Sequence, residues 1–176
     1  QRPVWTFPSP QDIMSSISAD SKVYVCADCS SGYFQIPLDY QSSLLTCFIL
    51  PQGRYRYCRA PMGLNASSDE WCRRSDEALQ GIPGVVKIVD DILIMAPNVE
   101  VLTERFKEVL ERCRQHKITL STKKLQVGEE VDFAGFRVTK EGVLPDPTKL
   151  AAVKDFPAPK DVSEVRSFLG LAQQLA

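Results

Sequence analysis

Two short apolar runs near the middle of the chain flank a pair of aspartates. Residues 85–89 and 92–94 are mostly apolar and β-branched, and Asp90 and Asp91 separate them. Runs of this length and composition are typical of strands rather than helices. The pattern therefore predicts a β-hairpin that carries two carboxylates at its tip.

Along the rest of the chain, the spacing of apolar residues predicts strands and helices. Positions three and four apart are apolar where a helix is predicted, whereas strand segments are short and bounded by turn residues. The prediction comprises a helix from Ser9 and Pro10 to about Ala19, a strand over 23–27 that ends at Asp28, a hairpin over 44–58 that turns at 51–53, a helix capped by Asn65, the Asp90–Asp91 hairpin, a helix over 99–115, a strand over 130–138, a helix from 145 to about 156, and a final helix that begins at Asp161 and Glu164.

The order of the main elements predicts the fold class. Without the first helix and the 44–58 hairpin, the order is strand, helix, hairpin, helix, strand. This is the ferredoxin-like split βαββαβ arrangement, an α+β fold in which helices cover one face of an antiparallel sheet. The first strand and the central hairpin can be neighbours in it, so we expect Asp28 to meet Asp90 and Asp91.

Carboxylates at such a point need a positive partner. Two like charges about 4 Å apart repel by roughly 4 kcal/mol at an effective dielectric near 20. A hard divalent cation relieves that repulsion because it binds carboxylate oxygens. The alternative is a solvated turn that contains two aspartates, since Asp is a favoured turn residue.

Composition limits the classes of protein that fit. The 176 residues are 44% hydrophobic and 24% charged, which is enough for one packed domain and part of another. No apolar run reaches membrane-spanning length and no apolar signal core opens the chain, so we expect an intracellular protein without a membrane partner. The net charge of −1 requires any nucleic-acid contact to be local.

The six cysteines are expected to be buried, reduced thiols without disulfides. Their spacing is irregular and their neighbours are apolar, which suits a chain that builds its own core. Cys26 and Cys29 form a C-x-x-C pair, but no second pair completes a zinc site and the only histidine is His116. We therefore predict neither a zinc nor a redox role for that pair.

Several blocks of the chain resemble known sequence motifs, in the same order. Residues 27–38 resemble LDLxSGYxQIPL; residues 53–66 resemble GxYxWxxMPFGLxNAP; residues 88–93 resemble Y-x-D-D-I-L; and residues 167–172 resemble part of RSFLGLANYYR. Together these blocks resemble the reverse transcriptase of Ty3/gypsy-type LTR retrotransposons, over nearly the whole chain. In that family residues 27–38 would be the first catalytic block, and residues 133–136 with 145–149 resemble the primer-grip strand and the segment after it.

The resemblance implies a polymerase palm with a remnant of the fingers over residues 1–144, and the truncated start of a helical thumb or connection over 145–176. It implies an RNA-directed DNA polymerase that uses two Mg²⁺ ions, or Mn²⁺, to add deoxynucleotides from their triphosphates to a primer on an RNA or DNA template. The parent would be a Pol polyprotein with ribonuclease H and integrase regions, in the cytoplasm or in a virus-like particle. The uncapped last helix also predicts an excerpt from a longer polypeptide. The alternative is an inactive retroelement remnant, or a domesticated fragment, that acts as a nucleic-acid or protein interaction module.

The resemblance also implies residue roles. Tyr33 would lie beneath the incoming sugar and exclude a 2′-hydroxyl, although a packed core aromatic is the alternative. Lys124 would protonate the leaving pyrophosphate, although a solvated surface charge is the alternative. The remaining roles are metal binding by Asp28, Asp90 and Asp91 with the carbonyl of Cys29, a nucleotide pocket bordered by Met62 and Gly63, and a primer grip at Phe133, Ala134 and Gly135.

The chain departs from the usual blocks at three places, which together involve four residues. Ile88 stands where an aromatic residue is usual, which removes a hydroxyl near the primer end but no metal ligand. Met62 replaces a phenylalanine, and Trp71 with Cys72 stands where Phe-Gln is common. Both of these changes suit altered packing.

Overall fold

The computed structural model describes residues 16–17, 20–145 and 147–173. The predicted helix over residues 9–19 falls outside the described residues except for 16 and 17. The described elements are β1 (Val23–Cys29), a short 3-10 helix (Gly32–Gln35), α1 (Tyr40–Leu44), β2 (Phe48–Leu50), β3 (Gly53–Tyr55), α2 (Asn65–Leu79), β4 (Val85–Ile88), β5 (Asp91–Ala96), α3 (Val99–Gln115), β6 (Leu120–Gly128), β7 (Glu130–Phe133), β8 (Phe136–Thr139), β9 (Gly142–Pro145), α4 (Pro147–Lys154) and α5 (Val162–Gln173).

A four-stranded antiparallel sheet in the order β4-β5-β1-β6 forms the centre of the fold. Strand β1 leads through α2 to the β4–β5 hairpin, and α3 leads from there to β6. This connectivity confirms the predicted split βαββαβ fold class. The two central strands therefore place Asp28 of β1 beside Asp91 of β5, and Asp90 lies in the turn just before β5.

Helices α2 and α3 cover one face of this sheet, as predicted. Trp71 and Leu79 of α2, with Leu102 and Val109 of α3, pack against Val25, Ile92 and Ile94 of the central strands. Helix α3 begins after Asn98, whose side chain accepts a hydrogen bond from the Val101 amide, as expected of an N-cap. The apolar spacing within each helix therefore faces the sheet.

A second sheet of three strands, β7-β8-β9, covers the opposite face. Val131, Phe133 and Val138 pack against Tyr24, Cys26, Leu93 and Met95 of the central strands. Since β1 and β5 are covered on both faces, their sequences are nearly continuous apolar runs rather than alternating ones.

The predicted strand over 130–138 is wrong in two respects. The fourth strand of the main sheet is β6, and residues 130–138 instead supply β7 and β8, which turn at Ala134 and Gly135 with φ angles of 50° and 81°. Strand β6 lies at the sheet edge with most of its residues exposed. Its sequence therefore lacks the apolar signal on which the prediction depended.

The predicted hairpin over 44–58 is shorter than expected. Residues 40–44 form α1, where the Asp39 side chain accepts a hydrogen bond from the Ser42 amide and starts the helix. The strands are only Phe48–Leu50 and Gly53–Tyr55, and all of their residues are exposed. Asn65 is the first residue of α2 rather than its cap, which is Leu64.

The carboxyl-terminal helices agree with the capping prediction. The Asp161 side chain accepts a hydrogen bond from the Glu164 amide, as in a capping box. The Glu164 carboxylate accepts one from the amide of Lys160, the residue before the cap, rather than from the cap's own amide. Phe156 lies against Phe168 of α5 with ring centroids 5.4 Å apart. The boundary between residues 144 and 145 stays a prediction.

All six cysteines are free thiols, as expected, but only four of them are buried, because Cys47 and Cys58 are exposed. Burial raises the pKa of Cys26 to about 12 and also raises that of Cys29. Reactive thiols have a lowered pKa instead, so the C-x-x-C pair lacks the electrostatic setting of a redox motif. No described helix has the length and apolar character to cross a membrane.

Candidate active site

Asp28 and Asp91 lie opposite each other at the same end of the main sheet. They are direct partners in the antiparallel pairing of β1 with β5, and directly opposite residues point to the same face with Cβ atoms about 4.5–5.5 Å apart. The Cys29 amide donates a hydrogen bond of 2.8 Å to the Asp90 carbonyl. The main chain therefore brings all three predicted aspartates to one point.

The turn between β4 and β5 holds a strained conformation. Val89 has a φ of 51°, which is unfavourable for a β-branched residue. Its carbonyl accepts hydrogen bonds from the Trp71 indole nitrogen at 3.2 Å and from the Lys87 ammonium at 3.4 Å. Helix α2 and strand β4 thus fix the turn that carries Asp90.

Asp90 points into a tight site beside the 3-10 helix. Its Oδ1 atom is buried and has no hydrogen-bond partner among the described residues. A Cβ placed on Gly32 would lie 2.5 Å from Asp90 Oδ1 and 2.5 Å from Trp71 Cε2, so this position has room only for glycine. An unpartnered buried carboxylate oxygen is costly unless a cation or a water completes it.

Lys124 lies next to Asp28 on the other side. The Lys124 ammonium is 2.9 Å from Asp28 Oδ1, and this hydrogen bond and charge raise the pKa of Lys124 above its ordinary value. Lys124 therefore makes an ion pair with one of the three predicted metal-binding aspartates.

Burial and mutual repulsion shift the proton affinity of the aspartate pair. Burial raises the pKa of Asp90, and the charge of Asp28 raises it further. Burial also raises the pKa of Asp91, again with the charge of Asp28, while Lys124 and a main-chain hydrogen bond from Ala134 act in the opposite direction. Such shifts are typical of carboxylates that are gathered for a functional purpose.

A cavity of about 380 Å³ opens beside these groups. Cys26, Asp28, Asp91, Lys124 and Asp132 contribute to its wall. A larger groove of about 720 Å³, lined by residues that include Arg73, Asp76 and Lys87, shares none of the predicted site residues. The smaller cavity is therefore the one that adjoins the candidate chemistry.

The side chains converge less closely than the main chain. Within the part of the chain that the structure describes, no group of three or more His, Cys, Asp or Glu side chains is arranged to hold a metal ion. Lys124 engages Asp28, and Asp90 Oδ1 lies next to the Gly32 backbone and Trp71. The available ligands are nevertheless of the type that a hard divalent cation prefers, because they are three carboxylates and one of their oxygens, Asp90 Oδ1, has no hydrogen-bond partner among the described residues.

The other predicted site residues lie around this point. The Tyr33 ring packs against the core beneath α2, and its hydroxyl is 3.4 Å from Ser68 Oγ. Met62 is 64% exposed and Gly63 has a φ of 86° in a turn before α2. Phe133 is buried, and Ala134 and Gly135 form the β7–β8 turn whose main chain reaches Asp91.

Sequence reasoning missed three supports of the site. The sequence pattern assigns Trp71 to packing in α2, whereas its indole nitrogen also donates a hydrogen bond to the Val89 carbonyl. The pattern assigns Gly32 to a turn, whereas the absence of a side chain there leaves space for the Asp90 carboxylate. Lys87, whose side chain is only 8% exposed, pairs with Asp76 at 2.9 Å. A lysine within an apolar strand is unusual enough to have signalled a buried partner.

Comparison with known proteins identifies the family. Residues 2–138 match the family described as "Reverse transcriptase (RNA-dependent DNA polymerase)". The chain belongs to the reverse transcriptase family. The resemblance inferred from the sequence blocks is thereby confirmed.

The relatives of this reverse transcriptase chain are much longer proteins. It is 33% identical over 171 residues to the "Retrovirus-related Pol polyprotein from transposon gypsy" of Drosophila melanogaster, which covers 96% of this chain and 16% of the relative. It is 31% identical over 168 residues to the corresponding polyprotein from transposon 412 of the same organism, covering 93% of this chain and 14% of the relative. The chain therefore corresponds to a small part of either polyprotein.

Solved structures share the fold of this reverse transcriptase chain. The foamy viral protease-reverse transcriptase in complex with double-stranded DNA superposes with a TM-score of 0.90 at 23% identity, over 96% of this chain and 30% of that one. The foamy viral enzyme in complex with an RNA/DNA hybrid gives a TM-score of 0.84 at 24% identity, over 90% of this chain and 22% of that one. These likenesses confirm the predicted polymerase-palm fold.

Proposed function

We propose that this chain is the palm region of an RNA-directed DNA polymerase that adds deoxynucleotides to a primer 3′-end. The observation that carries the proposal is the placement of Asp28 opposite Asp91, with Asp90 in the adjoining turn. Family membership supports the same activity. The solved relatives are complexes with an RNA/DNA hybrid and with double-stranded DNA, which supports a primer–template as the partner here.

Asp28, Asp90 and Asp91 are the residues that would hold Mg²⁺, with the Cys29 carbonyl as a further oxygen ligand. When bound, the ions activate the primer 3′-hydroxyl and neutralise the charge of the leaving pyrophosphate. The unpartnered Asp90 Oδ1 and the raised pKa of Asp90 and of Asp91 support a cation at this point. Mn²⁺ has the same preference for oxygen ligands and is expected to substitute.

The other residues of the chain would position the substrates. Tyr33, in the same sequence block as Asp28, would lie beneath the sugar of the deoxynucleoside triphosphate and exclude a 2′-hydroxyl. Met62 and Gly63 would border the nucleotide, and the exposure of Met62 leaves it accessible for such a contact. The β7–β8 turn, with Phe133, Ala134 and Gly135, would support the primer end.

Lys124 would donate a proton to the pyrophosphate. Its ammonium lies beside Asp28 and lines the cavity next to Asp91. A lysine ammonium is protonated at neutral pH, as a proton donor must be, and the ion pair with Asp28 holds this one beside the site. We also propose that the parent is a Pol polyprotein with ribonuclease H and integrase regions, acting in the cytoplasm or in a virus-like particle.

Primer extension tests the activity. The assay compares this chain and an amino-terminally extended version, with Mg²⁺ or Mn²⁺, on RNA and DNA templates. We expect Asp90→Asn in the extended protein to lower incorporation by at least about a thousandfold, because it removes a metal-ligand charge. Asp155→Asn, an exposed aspartate after α4, is the matched control and should retain wild-type incorporation. Equal incorporation by the wild type and Asp90→Asn would overturn the polymerase proposal and favour an interaction module.

A further inference from the structure

Lys124 reaches Asp28 from an irregular stretch of the edge strand. Strand β6 pairs Ser121 with Asp28 and Gln126 with Cys26, so the interval 121–126 of β6 lies opposite the interval 26–28 of β1. Extra residues in a bulge leave the ladder and redirect side chains. Lys124 lies within this bulge, and its ammonium is 2.9 Å from Asp28 Oδ1.

The two partners of this ion pair differ in exposure. The Asp28 side chain is 17% exposed, whereas the Lys124 side chain is 67% exposed. Asp28 is held at the end of β1 opposite Asp91, so its charge cannot move away from that carboxylate. Lys124 has a flexible four-carbon stem on an exposed bulge, so it is the partner that can leave.

We propose that Lys124 is the internal counter-ion of the metal-free site and is displaced from Asp28 when a divalent cation binds. The proposal rests on Asp28 being a metal ligand, as proposed above. The ammonium and the cation compete for the same carboxylate, and two positive charges side by side repel each other. Metal binding therefore releases Lys124 into the cavity that it lines with Asp28 and Asp91.

Titration with Mn²⁺ tests the competition without any measurement of catalysis. Free Mn²⁺ is followed by its electron paramagnetic resonance signal in the metal-free 176-residue chain and its variants. Lys124→Met should bind Mn²⁺ roughly fivefold more tightly than the wild type, a difference in the range of one partly exposed ion pair. Lys123→Met removes the same charge one residue away and should stay within about twofold of the wild type. Added KCl should reduce the difference between Lys124→Met and the wild type because salt screens exposed charges.

Thermal unfolding gives a second readout. Without metal, Lys124→Met should unfold at a lower temperature than Lys123→Met, because it leaves the carboxylates without their counter-ion. Saturating Mn²⁺ should remove that difference, since the ion then supplies the positive charge.

Two outcomes would overturn the inference. One is an affinity of Lys124→Met for Mn²⁺ that is equal to or weaker than that of the wild type. The other is a failure of both proteins to bind Mn²⁺, since Lys124 then has nothing to compete with. Either result combined with loss of primer extension in Asp90→Asn would leave the polymerase proposal standing, so the two failures are distinguishable.

Discussion

Asp28 and Asp91 face the same side of the sheet as direct partners across β1 and β5, and Lys124 is bonded to the first of them. Two carboxylates in this register repel each other, so the end of the sheet stores an electrostatic cost. That cost is offset in part by Lys124.

Replacing Asp91 by asparagine should stabilise the metal-free protein at neutral pH. The pKa of Asp91 is raised, chiefly by burial, so the folded state holds this proton more tightly than the unfolded state does. Stability is therefore present below the ordinary pKa of about 4 and falls as the pH rises through the higher folded value. We expect Asp91→Asn to raise Tm at pH 7 by about 2–4 °C and to flatten the decline in Tm above pH 4.

Calorimetry at several pH values checks this expectation, with Asp155→Asn as the control because that residue is exposed. A lower Tm for Asp91→Asn than for the wild type at pH 7, without metal, would contradict the sign of the effect.

Gly32→Ala should disrupt the site by steric conflict. The new methyl group would lie 2.5 Å from Asp90 Oδ1 and from Trp71 Cε2, so the buried indole or the β4–β5 turn must shift. We expect a loss of about 1–3 kcal/mol in the free energy of unfolding, together with weaker Mn²⁺ binding.

Gly170→Ala is the matched control for chemical denaturation, since a Cβ placed on Gly170 meets no neighbouring atom within 4 Å. This helical glycine lies in α5, where alanine should add stability of up to about 1 kcal/mol. Wild-type stability in Gly32→Ala would show that the turn and the indole tolerate the methyl group.

Trp71→Phe should loosen the turn that carries Asp90. The substitution removes the hydrogen bond to the Val89 carbonyl and part of a side chain that is only 1% exposed. We expect a loss of about 1–3 kcal/mol and faster amide hydrogen exchange at residues 89–91.

Tyr24→Phe separates a local effect from a general one. Its hydroxyl donates to the Ser21 and Thr139 carbonyls on the opposite face of the sheet, so its loss should lower stability without a specific change at residues 89–91. Identical exchange profiles for the two variants would argue against a role of Trp71 in holding the turn.

Phe133→Ala should detach the second sheet from the first. Phe133 is 1% exposed and packs in the core formed with Tyr24, Leu93 and Met95. Removal of a buried phenyl ring should cost about 3–5 kcal/mol, measured by urea unfolding. Phe48→Ala, at a ring that is 37% exposed, should cost less than half as much. Equal costs would mean that β7–β9 contributes little to the core.

The central elements were predictable because their sequence patterns match their environments. Helices α2 and α3 show apolar residues three and four apart, and the hairpin around Asp90 and Asp91 has unambiguous β-branched flanks. Strand β6 was not predicted because it is an edge strand whose lysines and polar residues face solvent. Helix α1 was not predicted because its five residues depend on the Asp39 cap more than on a regular spacing of apolar residues.

The approach of the three aspartates was predictable from topology, whereas their side-chain partners were not. Sequence order alone indicates that β1 can neighbour the hairpin. The pairing of Lys124 with Asp28 depends on a bulge in β6. The restriction of position 32 to glycine depends on where the Trp71 ring lies. Neither feature has a signature in the spacing of residues along the chain.

Crystals soaked with Mn²⁺ test directly whether Asp28, Asp90 and Asp91 hold a divalent cation. The anomalous difference map should contain a peak about 2.0–2.3 Å from carboxylate oxygens of Asp28 and Asp91, and Lys124 should have left Asp28. A peak elsewhere, or no peak beside these carboxylates at saturating Mn²⁺, would contradict the account.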